Sequence, residues 1–146
     1  MNVAIGCDHR GLFLKQKVVD FLHDSGYVCH DYGCYNTDSV DYPDIAKEVS
    51  ESVSSGSSEK GILVCGTGIG MSIAANKLKG IRAALCYDAL AASRARKHND
   101  ANILCLKGED IETSTTLDIV RTFLSSNFEG GRHIRRINKI TTLETN

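Results

Sequence analysis

Short apolar runs alternate along this chain with longer stretches in which apolar residues recur at i, i+3 and i+4. The run NVAIGC (2–7) predicts a buried strand, and LFLKQKVVDFLHDSG (12–26) an amphipathic helix stopped by Gly26. The pair recurs as YVCHDYG (27–33) and YPDIAKEVSESVSSG (42–56), with Pro43 in the first helical turn, where its missing N–H does no harm. KGILVCG (60–66) then precedes GMSIAANKLKG (70–80), IRAALCY (81–87) precedes DALAASRARKHND (88–100), and ANILCL (101–106) precedes IETSTTLDIVRTFLSSN (111–127). Asp88 has the side chain and position of an N-cap. RHIRRINKITTLE (132–144) predicts a final helix, and the closing TTLETN is expected to fray.

Strands that are apolar throughout are covered on both faces, and strand–helix alternation implies parallel pairing. The expected fold is α/β: a Rossmann-like three-layer sandwich with a five-stranded parallel sheet and a C-terminal helix, all in one domain, 1–146. The serine-rich SESVSSGSSEK (50–60) reads as a helix end and a surface loop rather than a linker.

A net charge of −1 gives no reason to expect a nucleic-acid or membrane-surface partner. No apolar run approaches the roughly 20 residues needed to span a bilayer. The start, MNVAIGCDHRG, lacks the basic and apolar regions of a signal peptide. Six cysteines occur without C-x-x-C or H-x₃₋₅-H spacing, which argues against zinc and against a disulfide framework. Cys7, Cys65, Cys86 and Cys105 fall in or at the end of strand runs, where a free thiol fills space. The expected location is the reducing cytoplasm.

Open parallel sheets bind ligands beyond the carboxyl ends of their strands, so chemistry is sought there. After the third predicted strand comes CGTGIG (65–70). Gly66, Gly68 and Gly70 let backbone approach a ligand closely, and the following helix turns free N–H groups toward it. Three phosphate motifs fail at this loop. Met71 stands where a dinucleotide fingerprint needs its third glycine, and where a cysteine phosphatase needs arginine. Thr67 stands where a Walker loop needs lysine. Cys65, close to a helix start, suits nucleophilic attack or proton abstraction beside a carbonyl, with Thr67 and loop N–H groups holding the developing oxyanion. The bland alternative is a tight turn around a core cysteine.

After the first strand, Asp8 can accept from sugar hydroxyls and His9 can bond an anion; the plainer reading is a capping aspartate beside a solvated histidine. His98, in KHND (97–100), precedes the fifth strand and so belongs near the opposite edge of the sheet from Cys65, unless a second subunit presents it. Arg132 and Arg136 share a helical face and could clamp a phosphate, or simply be solvated.

Together these segments identify a resemblance. GCDHRG (6–11), DYPDIA (41–46), GILVCGTGIGMSIAANK (61–77), GIRAAL (80–85), RKHNDANIL (96–104) and FEGGRHIRRI (128–137) run in the order of the B-type ribose-5-phosphate isomerases, the group that includes the galactose-6-phosphate isomerase subunits. The resemblance implies an aldose–ketose isomerase without metal or cofactor, acting as a homodimer or tetramer on a sugar phosphate. It implies that Cys65 moves a proton between C1 and C2 through a cis-enediol and that His98 assists ring opening. The loop Gly66, Thr67, Gly68, Ile69, Gly70 would stabilise the enediolate. Asp8, Tyr42 and Asn99 would hold the sugar, and His9, Arg132 and Arg136 the phosphate, with the site shared between subunits. One position departs: Glu109 stands where the family often has an arginine near the phosphate, and either Lys107 or the Arg132–Arg136 pair is expected to compensate. Two other readings carry their own expectations. A six-carbon substrate such as allose 6-phosphate needs a roomier pocket. A non-catalytic nucleotide-binding module would use Asp88 as its ribose-binding acid.

Overall fold

The predicted strands pair side by side in the order β2-β1-β3-β5-β4, every pair parallel. A computed structural model describes residues 1–144. The strands are β1 (Asn2–Cys7), β2 (Val28–Asp31), β3 (Lys60–Cys65), β4 (Ala83–Leu85) and β5 (Ile103–Lys107). Between and after them lie α1 (Leu12–Asp24), α2 (Tyr42–Ser54), α3 (Ile69–Ala75), α4 (Ala89–Asn99), α5 (Thr113–Ser125) and α6 (Arg132–Thr142). This is the expected Rossmann-like sandwich.

Alternation along the strands divides the core in two, because successive side chains point to opposite faces. Val3, Ile5, Ile62, Val64, Leu104 and Leu106 pack under α1, α4 and α5. Ala4, Leu63, Cys65, Ile103 and Cys105 pack under α2 and α3. Each large aliphatic residue sealed this way contributes on the order of 1.5–3 kcal/mol. The chain leaves β1 toward β2 on one side and crosses back to β3 on the other. The loops after β1 and β3 therefore diverge onto opposite faces, which opens a crevice between them.

Glycines stop the first two helices, Gly26 as expected. Gly26 and Gly56, at φ +85° and +84°, end α1 and α2 just past their caps. Asp88 caps α4, its carboxylate accepting the Ala91 N–H at 2.7 Å. That carboxylate is thus engaged in a helix cap, where the nucleotide reading wanted a ribose ligand.

Three elements are shorter than the pattern predicts. α3 ends at Ala75 because Asn76 turns to the edge strand: its amide oxygen accepts from Ala83 N at 2.8 Å, and its amide nitrogen donates to Ala83 O and Ser72 O, each at 3.0 Å. β4 keeps only three residues because it pairs with β5 alone, while Arg82 N is taken by the Asn102 side chain at 2.8 Å. β2, at the other edge, yields to a turn in which Gly33 N donates to Asp31 Oδ1 at 2.9 Å. The C-terminal segment is better held than expected as far as Glu144, whose Oε1 accepts from Gly80 N at 3.0 Å. The remainder of the predicted frayed end, Thr145 and Asn146, lies outside the described residues.

Candidate active site

Cys65 ends β3 with its side chain buried, 5 % exposed, against the floor of a ≈ 550 Å³ cleft at the carboxyl edge of the sheet. The main chain then doubles back so that Gly68 N donates to Cys65 Sγ at 3.2 Å. Only glycine fits at position 68. Its φ is +78°, and a Cβ would come within 2.5 Å of Leu85 Cδ1 and 2.9 Å of Leu106 O. Gly70 serves the cleft differently: a Cβ there would meet the Tyr42 ring at 2.6 Å, so its absence lets that ring lie over the loop.

The loop is braced from both sides. Gly108 N donates to Cys65 O at 2.7 Å, and Tyr87 OH to Thr67 O at 2.9 Å. Thr67 Oγ1 accepts the Ile69 N–H at 3.1 Å, which leaves the hydroxyl hydrogen free for a ligand. Gly66, Thr67, Ile69 and Gly70 all reach the cleft.

Across β1, Asp8 and His9 complete the wall. Asp8 is buried, and one oxygen, Oδ1, accepts from Arg10 N at 3.0 Å and Gly11 N at 3.1 Å. The expected cap on the next helix does not form, since α1 has Gly11 at its N-cap and no side-chain cap; Oδ1 closes the preceding turn instead, and among the described residues Oδ2 has no hydrogen-bond donor. His9 Nδ1 accepts from Val40 N at 3.4 Å, which leaves its hydrogen on Nε2.

Eight predicted site residues thus line one cleft: Asp8, His9, Tyr42, Cys65, Gly66, Thr67, Ile69 and Gly70, with Gly68 behind the sulfur. His98, Asn99, Arg132 and Arg136 are not among its lining residues. α4 runs back to the amino edge of the sheet, where His98 stacks on His133 at 4.6 Å and its Nε2 lies 3.8 Å from Glu129 Oε1. Asn99 lines a separate ≈ 720 Å³ cleft there, walled by Leu78, Ile81, Ile140 and Leu143. Arg132 opens α6 and Arg136 lies a turn further along it, both exposed. The opposite-edge placement expected for His98 is what the fold produces.

Two contributors were given no role in the sequence reading. Arg10 lines the cleft and pairs with Glu109, Nε to Oε1 3.7 Å. Tyr87 braces the glycine loop; its place at the end of β4 was the available signal. Lys107, one of the cations expected to compensate for Glu109, is not among the residues lining the cleft; its Nζ lies 4.8 Å from the centre of the Tyr87 ring.

The other thiols differ in setting. Burial pushes Cys86 up to about 11 and Cys105 further, so both stay protonated at neutral pH. Cys7 is pushed up to about 12, chiefly by burial, and its sulfur lies 3.8 Å from that of Cys34. All six cysteines are free.

A sulfur facing a cleft beneath a glycine loop, with a carboxylate and hydroxyls around it, is the equipment of an isomerase acting on a polyhydroxy carbonyl compound. The chain belongs to the ribose/galactose isomerase family, whose model matches residues 3–140. It is 41 % identical over 143 residues to ribose-5-phosphate isomerase B of Escherichia coli, covering 98 % of this chain and 96 % of the relative. Its fold matches that of Clostridium thermocellum ribose-5-phosphate isomerase B with a TM-score of 0.97 and 49 % identity, over 99 % of this chain and 97 % of the other. The Mycoplasma genitalium ribose-5-phosphate isomerase B, solved with bound ribulose 5-phosphate, matches with a TM-score of 0.94 and 44 % identity, over 98 % and 95 %.

Proposed function

We propose that this protein interconverts D-ribose 5-phosphate and D-ribulose 5-phosphate by proton transfer through a cis-enediol. The observation that carries the reading is Cys65 Sγ at the cleft floor, hydrogen-bonded by Gly68 N at 3.2 Å. The sulfur takes the proton from C2 of the open-chain aldose and returns it to C1, while the hydroxyl proton passes from O2 to O1 of the cis-enediol, and the sulfur stays non-covalent throughout. Negative charge then grows on the substrate oxygen. The free Thr67 hydroxyl hydrogen and the loop N–H groups other than those of Gly68 and Ile69, which are already engaged, hold it without needing to reorganise. Asp8 Oδ2, Tyr42 and Asn99 orient the sugar hydroxyls, and His9, Arg132 and Arg136 hold the phosphate.

The aldose is mostly cyclic in solution, and ring opening needs a proton carrier at the ring oxygen. His98 takes that role from a second copy of the chain. Two facts support the shared site: His98, Asn99, Arg132 and Arg136 do not line the Cys65 cleft, and α3 exposes Ile69 and Ile73, 49 % and 59 % open, beside it. The partner is thus a homodimer mate, alone or within a tetramer. No described helix is long and apolar enough to cross a membrane, and six free cysteines support a reducing, cytoplasmic setting.

The test follows ketose formation from ribose 5-phosphate and from allose 6-phosphate with wild type, Cys65→Ala and His98→Ala. Loss of turnover in Cys65→Ala, with partial recovery on mixing the two variants, is the expected result. An active Cys65→Ala enzyme overturns the role of the base, and a higher kcat/KM for the six-carbon sugar moves the substrate.

A further inference from the structure

Arg10 and Glu109 are brought together by strand order. Their loops follow β1 and β5, which flank β3 on either side, and both side chains lean across the first residue of the glycine loop. A Cβ on Gly66 would lie 3.1 Å from Arg10 Cδ, 3.6 Å from its Nη1 and 3.6 Å from Glu109 Cδ. The main chain beneath is locked. Arg10 N donates to Asp8 Oδ1 at 3.0 Å, and Glu109 N to Gly66 O at 3.3 Å. A Cβ on Gly108 would come 2.9 Å from Arg10 O, so the two loops touch backbone to backbone.

The ion pair itself is loose. Nε and Oε1 stand 3.7 Å apart, and the side chains are 62 % and 48 % exposed. A pair this open contributes at most about 1 kcal/mol to stability. Among the described residues no acceptor takes a hydrogen bond from the Arg10 guanidinium, so all of its N–H donors remain available. Among the described residues it is also the one arginine or lysine lining the Cys65 cleft. Glu109 draws the Nε side, which leaves the two Nη groups for a ligand. A guanidinium presented in this way matches the oxygens of a phosphate dianion in a two-point contact. Without Arg10, the same loop would show that dianion a bare carboxylate.

We propose that Arg10 binds the substrate phosphate from the Cys65 side of the cleft and screens it from Glu109. The proposal rests on the sugar-phosphate reading above and adds a contact from the chain that supplies the base.

The experiment compares wild type, Arg10→Ala, Glu109→Gln and the double variant, each checked for an unchanged melting temperature. Steady-state kinetics are run on ribose 5-phosphate and on unphosphorylated ribose, and inorganic phosphate binding is measured by calorimetry at low ionic strength. Loss of a charge-assisted contact of about 1.5–3 kcal/mol corresponds to about 10- to 150-fold in affinity. Arg10→Ala is expected to raise KM for ribose 5-phosphate and Kd for phosphate by at least about tenfold. Its kcat should stay within about twofold, and kcat/KM for ribose should be unchanged. Glu109→Gln in the Arg10→Ala background should recover part of the loss. An Arg10→Ala enzyme whose KM or phosphate Kd matches wild type overturns the proposal, as does an equal loss on ribose. Wild type that binds phosphate through Arg10 but turns over neither ribose 5-phosphate nor ribose would instead overturn the isomerase reading, so the two failures are separable.

Discussion

The imidazoles of His98 and His133 stack with centroids 4.6 Å apart and planes 13° from parallel. His133 lies on the inner face of α6 beside Ile137, so it fixes the ring of the proposed ring-opening residue. Burial holds His133 below the ordinary histidine range; His98, Arg132 and Arg136 push it the same way, and Glu129 opposes them. The folded state therefore binds fewer protons here than the unfolded chain, and its contribution to stability is complete above pH about 6.5 and lost as pH falls toward the folded value. Denaturant melts at pH 7.5 and 5.5 should show a smaller loss of stability on acidification in His133→Phe than in wild type. Equal losses would remove His133 from the pH response.

Gly68→Ala should destabilise the protein and disable the site together. The positive φ costs about 1–2 kcal/mol for alanine, and overpacking against Leu85 and the Leu106 carbonyl about 1–3 more. Urea titration is expected to show a total of about 2–5 kcal/mol, with turnover reduced even where the variant is folded, because the N–H aimed at Cys65 Sγ moves.

Lys15 is an ammonium almost sealed from solvent, 2 % exposed, bonded to Asp31 at 2.8 and 2.9 Å and to Cys34 O at 2.7 Å. Lys15→Met keeps much of the volume and strands both acceptors. Hydrogen bonds to a charged group are worth about 1.5–3 kcal/mol, and the loss measured by chemical denaturation should fall in that range. No change in midpoint would mean water replaces the ammonium freely.

Asp88→Ala separates capping from function. Losing the bond from Ala91 N should cost about 1 kcal/mol, read as a lower melting temperature. kcat/KM for ribose 5-phosphate should stay within about twofold. A large loss of activity in a folded Asp88→Ala protein would return that carboxylate to the list of ligand contacts.

Much of this was legible in the sequence because it depends on near neighbours. Buried strands carry almost no polar residues, helix periodicity is local, and Gly26, Gly56 and Asp88 act within a turn of where they stand. The grouping of Asp8 with CGTGIG followed from strand ends facing one way, while Tyr42 came only from the family resemblance. What could not be read depends on contacts distant in sequence. Asn76 ends α3 by gripping Ala83 across a loop, and β4 is short because nothing pairs with its outer side. Glu109 looked like an unopposed carboxylate because its partner lies nearly a hundred positions away. Only the order β1-β3-β5 brings Arg10 to it.

The separation of Cys65 and His98 by the height of the sheet has a consequence for concentration. On the proposed reading, one chain owns two unlike halves and no whole, while a two-fold pair completes two sites at once. Specific activity would then fall on dilution with the square-law onset of a dissociating dimer, and substrate, by bridging both chains, would slow the fall.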